Sequence, residues 1–220
     1  AVIFWKSRCI SWEETVISQE NKKEPVKDTS IVYISNCFVG SDMTAHAFDS
    51  LVEKVNEKKP DVILFGGNLF GRHTKEVTVD KTLASIKKMK AALGIYMVEG
   101  SADSVLVEEK KEKISGAGVH LLLDESAVLH NGLQLVGCRA DGKTKKPMSY
   151  TLSLINKEKP SIVLAGEAME EKRKEEKKIS LVLYPKKITD TGNGGTSGVN
   201  QMFPRNVLAS AKINFMQIKK

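Results

Sequence analysis

Apolar residues fall in short blocks along the first half of the chain, and the blocks alternate between two spacings. Ile31-Val32-Tyr33-Ile34, Val62-Ile63-Leu64-Phe65 after Asp61, and Ile95-Tyr96-Met97-Val98 are continuous apolar runs bounded by turn residues. That is the pattern of strands buried on both faces. Between them the spacing becomes helical. Ala45, Phe48, Leu51, Val52 and Val55 predict a helix over 44–57, and Leu83, Ile86, Met89 and Leu93 predict one over 79–92, with lysines on its outer face and Gly94 as its stop. A further helix is expected up to about Ser115, ahead of Gly116-Ala117-Gly118.

The flanks and the second half read differently. Residues 6–30 are polar, with β-like pieces at 8–12 and 14–18. Strands are expected at Val119–Leu123, Ala127–His130 and Leu133–Cys138, and Asn131-Gly132 between the last two is a hairpin signal. Residues 148–156 read as helical, Ser161–Ala165 and Ser180–Tyr184 as short buried strands, 189–198 as a long glycine-rich loop and 212–218 as a final strand. Buried strands joined by crossover helices imply parallel pairing in a layered α/β domain, whose functional loops follow the carboxyl ends of the strands. Here those are the loops at 35–40, 66–70, 100–104, 165–168 and 184–190. No internal repeat or linker divides the chain, so residues 1–30 are taken as a lead-in segment and 31–220 as one domain.

Composition narrows the function classes. A hydrophobic content of 41% over 220 residues suits a globular core, and no run approaches the roughly 20 apolar residues of a membrane helix. Ala1–Trp5 reads as a buried strand, with the stub of a removed anchor as the alternative, so a membrane partner is possible through a segment before Ala1. Cys9, Cys37 and Cys138 are far apart and form neither a Cys-x-x-Cys pair nor a disulfide framework. The net charge of +7 permits nucleic acid or an anionic surface as partner. However, lysines alternate with glutamates at 108–113 and 170–178 without interleaved aromatics, which disfavours nucleic acid.

The loops carry a family resemblance. The frame Ile34-Ser35-Asn36-Cys37-Phe38-Val39-Gly40, then Lys59-Pro60-Asp61-Val62-Ile63-Leu64 with Gly66-Gly67-Asn68-Leu69, then Leu93 to Asp103, and Asn131-Gly132-Leu133-Gln134-Leu135-Val136-Gly137, resembles the calcineurin-like metallophosphoesterases, most of all their bacterial membrane-associated branch. The resemblance runs from about residue 30 to about 205. It implies an α/β/β/α sandwich of two mixed β-sheets flanked by helices. It also implies metal ligands in short blocks after successive strands: Asp-x-His, Gly-Asp, Gly-Asn-His-Asp/Glu, a lone His and Gly-His-x-His.

In this chain the ligand positions hold other residues. Under the resemblance, Asn36 and Phe38 stand for the first Asp and His, Asn68 for the bridging Asp, and Ser101 and Ala102 for the Asn ligand and the catalytic His. Gly166 stands for the lone His, and Lys186 and Ile188 for the last two. Asp103 keeps its type and is not a direct ligand in the family. Two cations about 3.5–4 Å apart need carboxylates and imidazoles around them. Benzyl, methyl and ammonium groups do not serve, and Asn brings a carbonyl without charge. Asn36 and Asn68 match Asp in shape while avoiding the repulsion of close carboxylates in a site without metal. No metal, cofactor or catalytic residue is therefore expected.

Three functions follow. The first is a pseudoenzyme, a phosphoesterase fold kept as a binding or scaffolding module working through protein contacts. The second is an enzyme of altered one-metal or metal-independent chemistry that uses Asp103, Glu167, His73 or Lys186, and it requires those groups to converge on one cleft. The third is a binder of nucleic acid or an anionic surface. Among smaller features, Lys186 and Lys187 are a candidate anion-binding pair, and His73 is the one histidine in a loop on the expected site face, with His46, His120 and His130 read as surface or structural. Gly192-Asn193-Gly194-Gly195 lacks the Lys and the following helix of a phosphate loop. Asp103 and Glu167 form a candidate carboxylate pair, with one of them expected to bind backbone at a helix start. The resemblance would place the protein at a bacterial membrane or in an exported setting, and a cytoplasmic location is the alternative.

Overall fold

A computed structural model describes residues 9–18, 29–140, 146–156, 159–167, 181–185, 197–200 and 210–219. Eleven strands and four helices are assigned within them. Six strands form the first sheet: β1 (Cys9–Ser18), β11 (Ser210–Lys219), β2 (Thr29–Ile34), β3 (Val62–Gly66), β4 (Ile95–Val98) and β5 (Val119–Leu121), in that spatial order. β1 pairs antiparallel with β11, and all other neighbours are parallel. The second sheet runs β10 (Ser197–Asn200), β9 (Leu181–Pro185), β8 (Ser161–Ala165), β7 (Gln134–Cys138) and β6 (Ser126–Val128). Its two edge pairings are antiparallel and its central ones parallel.

The continuous apolar runs follow from this layering. In β2, Val32 and Ile34 face the helices α1 (Ala45–Glu57), α2 (Glu76–Ile86) and α3 (Ser104–Ser115), where they meet Phe48, Leu51, Leu83 and Val107. Ile31 and Tyr33 point the other way, into a second core between the sheets with Leu64, Leu135, Ile162 and Leu183. The outer face of the second sheet buries Val136, Val163 and Val182 against Leu152 of α4 (Met148–Ser153) and Ile155. The result is the α/β/β/α sandwich of two mixed sheets. Burying each large apolar side chain is worth about 1.5–3 kcal/mol, so all three cores contribute to holding the layers together. Cys37 and Cys138 are buried within the first and third cores, in keeping with small apolar fillers.

Several boundaries differ from the sequence pattern. The helix expected over 79–92 is α2, Glu76–Ile86. It ends early because tertiary contacts take over its backbone groups. Asn56 Nδ2 donates to the Lys88 carbonyl (3.0 Å) and Asn56 Oδ1 accepts the Lys90 N–H (2.9 Å), while Lys88 and Met89 close tight turns back to Ser85 and Ile86. The pieces at 8–12 and 14–18 are one strand, paired along its whole length with β11, so the lead-in adds a strand to the first sheet. β5 stops at Leu121, and Leu122 instead packs in the core between the sheets. The helix expected over 148–156 closes at Ser153, and Leu154 and Ile155 follow as turns. Ser197 and Gly198 of the expected 189–198 loop belong to β10, and the rest of that stretch lies outside the described residues.

Candidate functional site

The loops after β2, β3 and β4 lie side by side because their strands do. The backbone N–H groups of Asn36, Phe38 and Val39 donate to the carbonyls of Gly67, Asn68 and Leu69 at 3.1, 2.9 and 2.8 Å. Asn36, Phe38 and Asn68 all hold left-handed backbone, with φ of 55°, 46° and 55°. Asparagine tolerates that conformation better than most residues, whereas phenylalanine there is strained. Gly67, at φ 93°, passes so close to Gly100 that a Cβ on it would lie 2.9 Å from the Gly100 Cα. The fold therefore brings the predicted positions Asn36, Phe38, Asn68, Ser101 and Ala102 into one cluster of loops.

Within that cluster the amides satisfy each other. Asn68 Nδ2 donates to Asn36 Oδ1 (2.9 Å), and Asn68 Oδ1 accepts the Ala102 N–H (3.0 Å). Both asparagines are 8% exposed. Cys37, between Asn36 and Phe38, is fully buried, and burial first, with the charge of Asp103 second, pushes its thiol far above the ordinary range. A thiol so held stays protonated and is no nucleophile.

Asp103 is buried completely beneath this cluster. Its Oδ2 accepts the N–H groups of Leu69 (2.7 Å) and Phe70 (3.3 Å), and its Oδ1 accepts that of Gly100 (2.8 Å). It stands at the N-cap position of α3 without capping that helix. The expectation that a carboxylate here binds backbone holds, but the backbone is that of the neighbouring loop and of its own preceding turn. Burial pushes the carboxyl up to about 7, against the pull of those N–H donors. Glu167, the other half of the candidate carboxylate pair, is exposed, as is His73. Asp103 is thus spent on the scaffold, and the convergence required for altered chemistry does not include it. His46, His120 and His130 are exposed as well, and the His120 ring stacks on Tyr96 with centroids 5.0 Å apart.

In the second sheet, Gly166 follows β8 and is fully packed. A Cβ built on it would lie 1.9 Å from the Glu99 carbonyl oxygen and 2.8 Å from the Ala140 nitrogen. A histidine there would require the backbone on both sides to move. Lys186, Lys187 and Ile188 lie outside the described residues. Among the described residues, no group of three or more His, Cys, Asp or Glu side chains is placed to hold a metal ion.

Residues that the sequence pattern did not single out organise the same rim. Glu99 ends the β4 run, and Arg139 ends the β7 run in the other sheet. They form a two-pronged ion pair, Arg139 Nε to Glu99 Oε1 at 2.8 Å and Nη2 to Oε2 at 3.0 Å, with side chains 5% and 0% exposed. Nη2 also reaches the half-exposed Glu108 on α3 at 2.7 Å. Asp124 accepts the backbone N–H groups of Arg139 (3.1 Å) and Lys146 (2.7 Å). Burial raises the Glu99 carboxyl, and Arg139 opposes that shift. The available sequence signal was a charge directly after each buried strand, because such residues are rarely buried unless paired.

No family model matches the sequence. Over 189 residues the chain is 25% identical to an uncharacterized metallophosphoesterase of Helicobacter pylori (strain ATCC 700392 / 26695), a match covering 83% of this chain and 48% of that protein. The chain thus spans about half the length of the curated relative it matches. Together with the two-sheet sandwich, this likeness supports kinship with the metallophosphoesterases.

Two measurements follow from the rim. Arg139→Met leaves Glu99 buried without its cation and should cost about 3–5 kcal/mol in urea denaturation, while adding Glu99→Leu should restore much of the loss. For Asp103, the folded state holds a proton between about pH 4 and pH 7 that the unfolded chain has released, so its contribution to stability falls as pH rises through that window. The stability difference between the wild type and Asp103→Asn should therefore shrink from pH 4.5 to 7.5, by on the order of 1–3 kcal/mol.

Proposed function

We propose that the chain is a metallophosphoesterase-like domain without catalytic metals, kept as a binding or scaffolding module that works through protein contacts. The observation carrying this reading is the hydrogen bond from Asn68 Nδ2 to Asn36 Oδ1. In a two-metal site these two positions would be anionic and would face cations. Here a donor meets an acceptor directly, an arrangement that two carboxylates cannot make.

The residues present do not suit paired dications. Asn68 turns an N–H toward Asn36, and its carbonyl oxygen is engaged by Ala102. Ser101 and Ala102 supply no imidazole, and Gly166 has no room for one. The nearest carboxylate, Asp103, accepts backbone hydrogen bonds under the loops. A site lacking both negative charge and imidazoles neither lowers the pKa of a water nor polarises a phosphoryl oxygen, so no hydrolytic step is derived for it. The bacterial setting and an association with membranes belong to the same reading and rest on the resemblance of the loop frame.

Elemental analysis of the purified protein, beside an assay with bis(p-nitrophenyl) phosphate and added Mn²⁺, tests the proposal. The expected result is far less than one transition metal per chain and no hydrolysis above the blank. Two tightly held transition metals per chain, or Mn²⁺-dependent turnover, would sink it. As an internal check, the double substitution Asn36→Asp/Asn68→Asp should lower stability at neutral pH by about 1–3 kcal/mol through an unpaired buried acceptor and like-charge repulsion, and acidification toward pH 4.5 should recover part of it.

A further inference from the structure

The end of the molecule opposite the loop cluster carries a gathered set of lysines. Lys54, Lys58 and Lys59 close α1 and its turn, and Lys87, Lys88 and Lys90 close α2 and its turn. All six are exposed. Asn56 ties the two turns together through the Lys88 carbonyl and the Lys90 N–H, and the Leu93 N–H donates to the Asp61 carbonyl at 2.7 Å. The two turns therefore form one surface rather than two separate exposed ends. Some negative charge is present. Asp49 pairs with Lys88 at 2.7 Å, Glu53 and Glu57 are exposed on α1, and Asp61 directs Oδ2 at the Ser30 N–H at 2.7 Å. Lysine remains in excess, in contrast to the evenly mixed run at 108–113 on α3.

We propose that this pole is a peripheral contact for an anionic lipid surface. The chemistry of the cations favours lipid over nucleic acid. The two segments, 54–61 and 87–93, contain no Arg to grip a base edge through two hydrogen bonds and no Trp, Tyr or Phe for bases to stack on. Compact ammonium groups on long stems suit a diffuse array of headgroup phosphates, to which each lysine adds a separate increment of attraction. The pole has no exposed large apolar side chain to insert, and among the described residues no helix is long and apolar enough to cross a membrane, so the contact is electrostatic and lies at the surface. Its position has a consequence for the candidate site. The turns precede β3 and β4, while the loops of the site follow them, so a surface held at the lysine pole lies at the opposite end of the strands from those loops.

Co-sedimentation of the full chain with phosphatidylcholine vesicles containing about 30% phosphatidylglycerol tests this. Binding should occur to these vesicles, be absent with pure phosphatidylcholine, and fall steeply as salt rises from about 0.05 to 0.5 M. The variant K54Q/K59Q/K87Q/K90Q avoids the paired Lys88 and should lose at least about tenfold in partitioning while melting as the wild type does. If that variant does not fold, K54Q/K59Q and K87Q/K90Q tested separately should each show an intermediate loss. K172Q/K174Q/K177Q/K178Q, with the same change in net charge elsewhere in the sequence, should bind like the wild type. The proposal is overturned if the wild type ignores anionic vesicles or if the two quadruple variants lose binding equally. It is overturned equally if duplex DNA or RNA binds more tightly than the vesicles with the same dependence on the four lysines.

Discussion

Glu99 and Arg139 cannot be buried separately. Each would lose several kcal/mol of hydration with nothing in exchange, and together they recover it through two parallel hydrogen bonds. The pair joins the carboxyl end of β4 in one sheet to that of β7 in the other, at the rim where the loops of the candidate site meet. Gly166 packs against the Glu99 main chain, and Asp124 holds the Arg139 backbone from the far side. A charge contact therefore bridges the two sheets at this rim, while the apolar layer behind it supplies most of the burial energy.

The loops on top of the rim are built from neutral and backbone groups. Asp103 collects three N–H groups from two of the loops, and the amides of Asn36 and Asn68 close the third onto them. A metal centre would hold the same loops by drawing anionic ligands to cations. Here Asn36 and Asn68 meet each other without an ion, and Asn36, Phe38 and Asn68 hold left-handed backbone. The direct pairing of Asn68 with Asn36 is the contact on which the proposed reading as a binding module rests. The lysine pole lies at the other end of the same strands, so the two surfaces are separated by the depth of the sandwich.

The strands β2, β3, β4 and β8 were legible in the chain because strands covered on both faces must be apolar at every position, which leaves an unbroken run. The loop residues Asn36, Asn68, Ser101 and Ala102 were legible for a related reason, since they sit in short loops immediately after those runs. The length of α2 was not legible. Its apolar spacing continues through Met89 and Leu93, but Asn56, some thirty residues away, takes the hydrogen-bonding groups of Lys88 and Lys90. The ion pair was also hidden, because Glu99 and Arg139 are 40 residues apart and each alone reads as a polar loop residue.

The sequence by itself determined the alternation of buried strands and covering helices and the identity of the side chains at each loop of the site, because periodicity and residue type are local properties. Only the tertiary structure decided which of those side chains meet. It turned Asn36 toward Asn68, closed the space beside Gly166, buried Asp103 under the loops and gathered the lysines of two separate turns on one pole. Such contacts depend on the packing of whole layers, and no stretch of the chain carries that information alone.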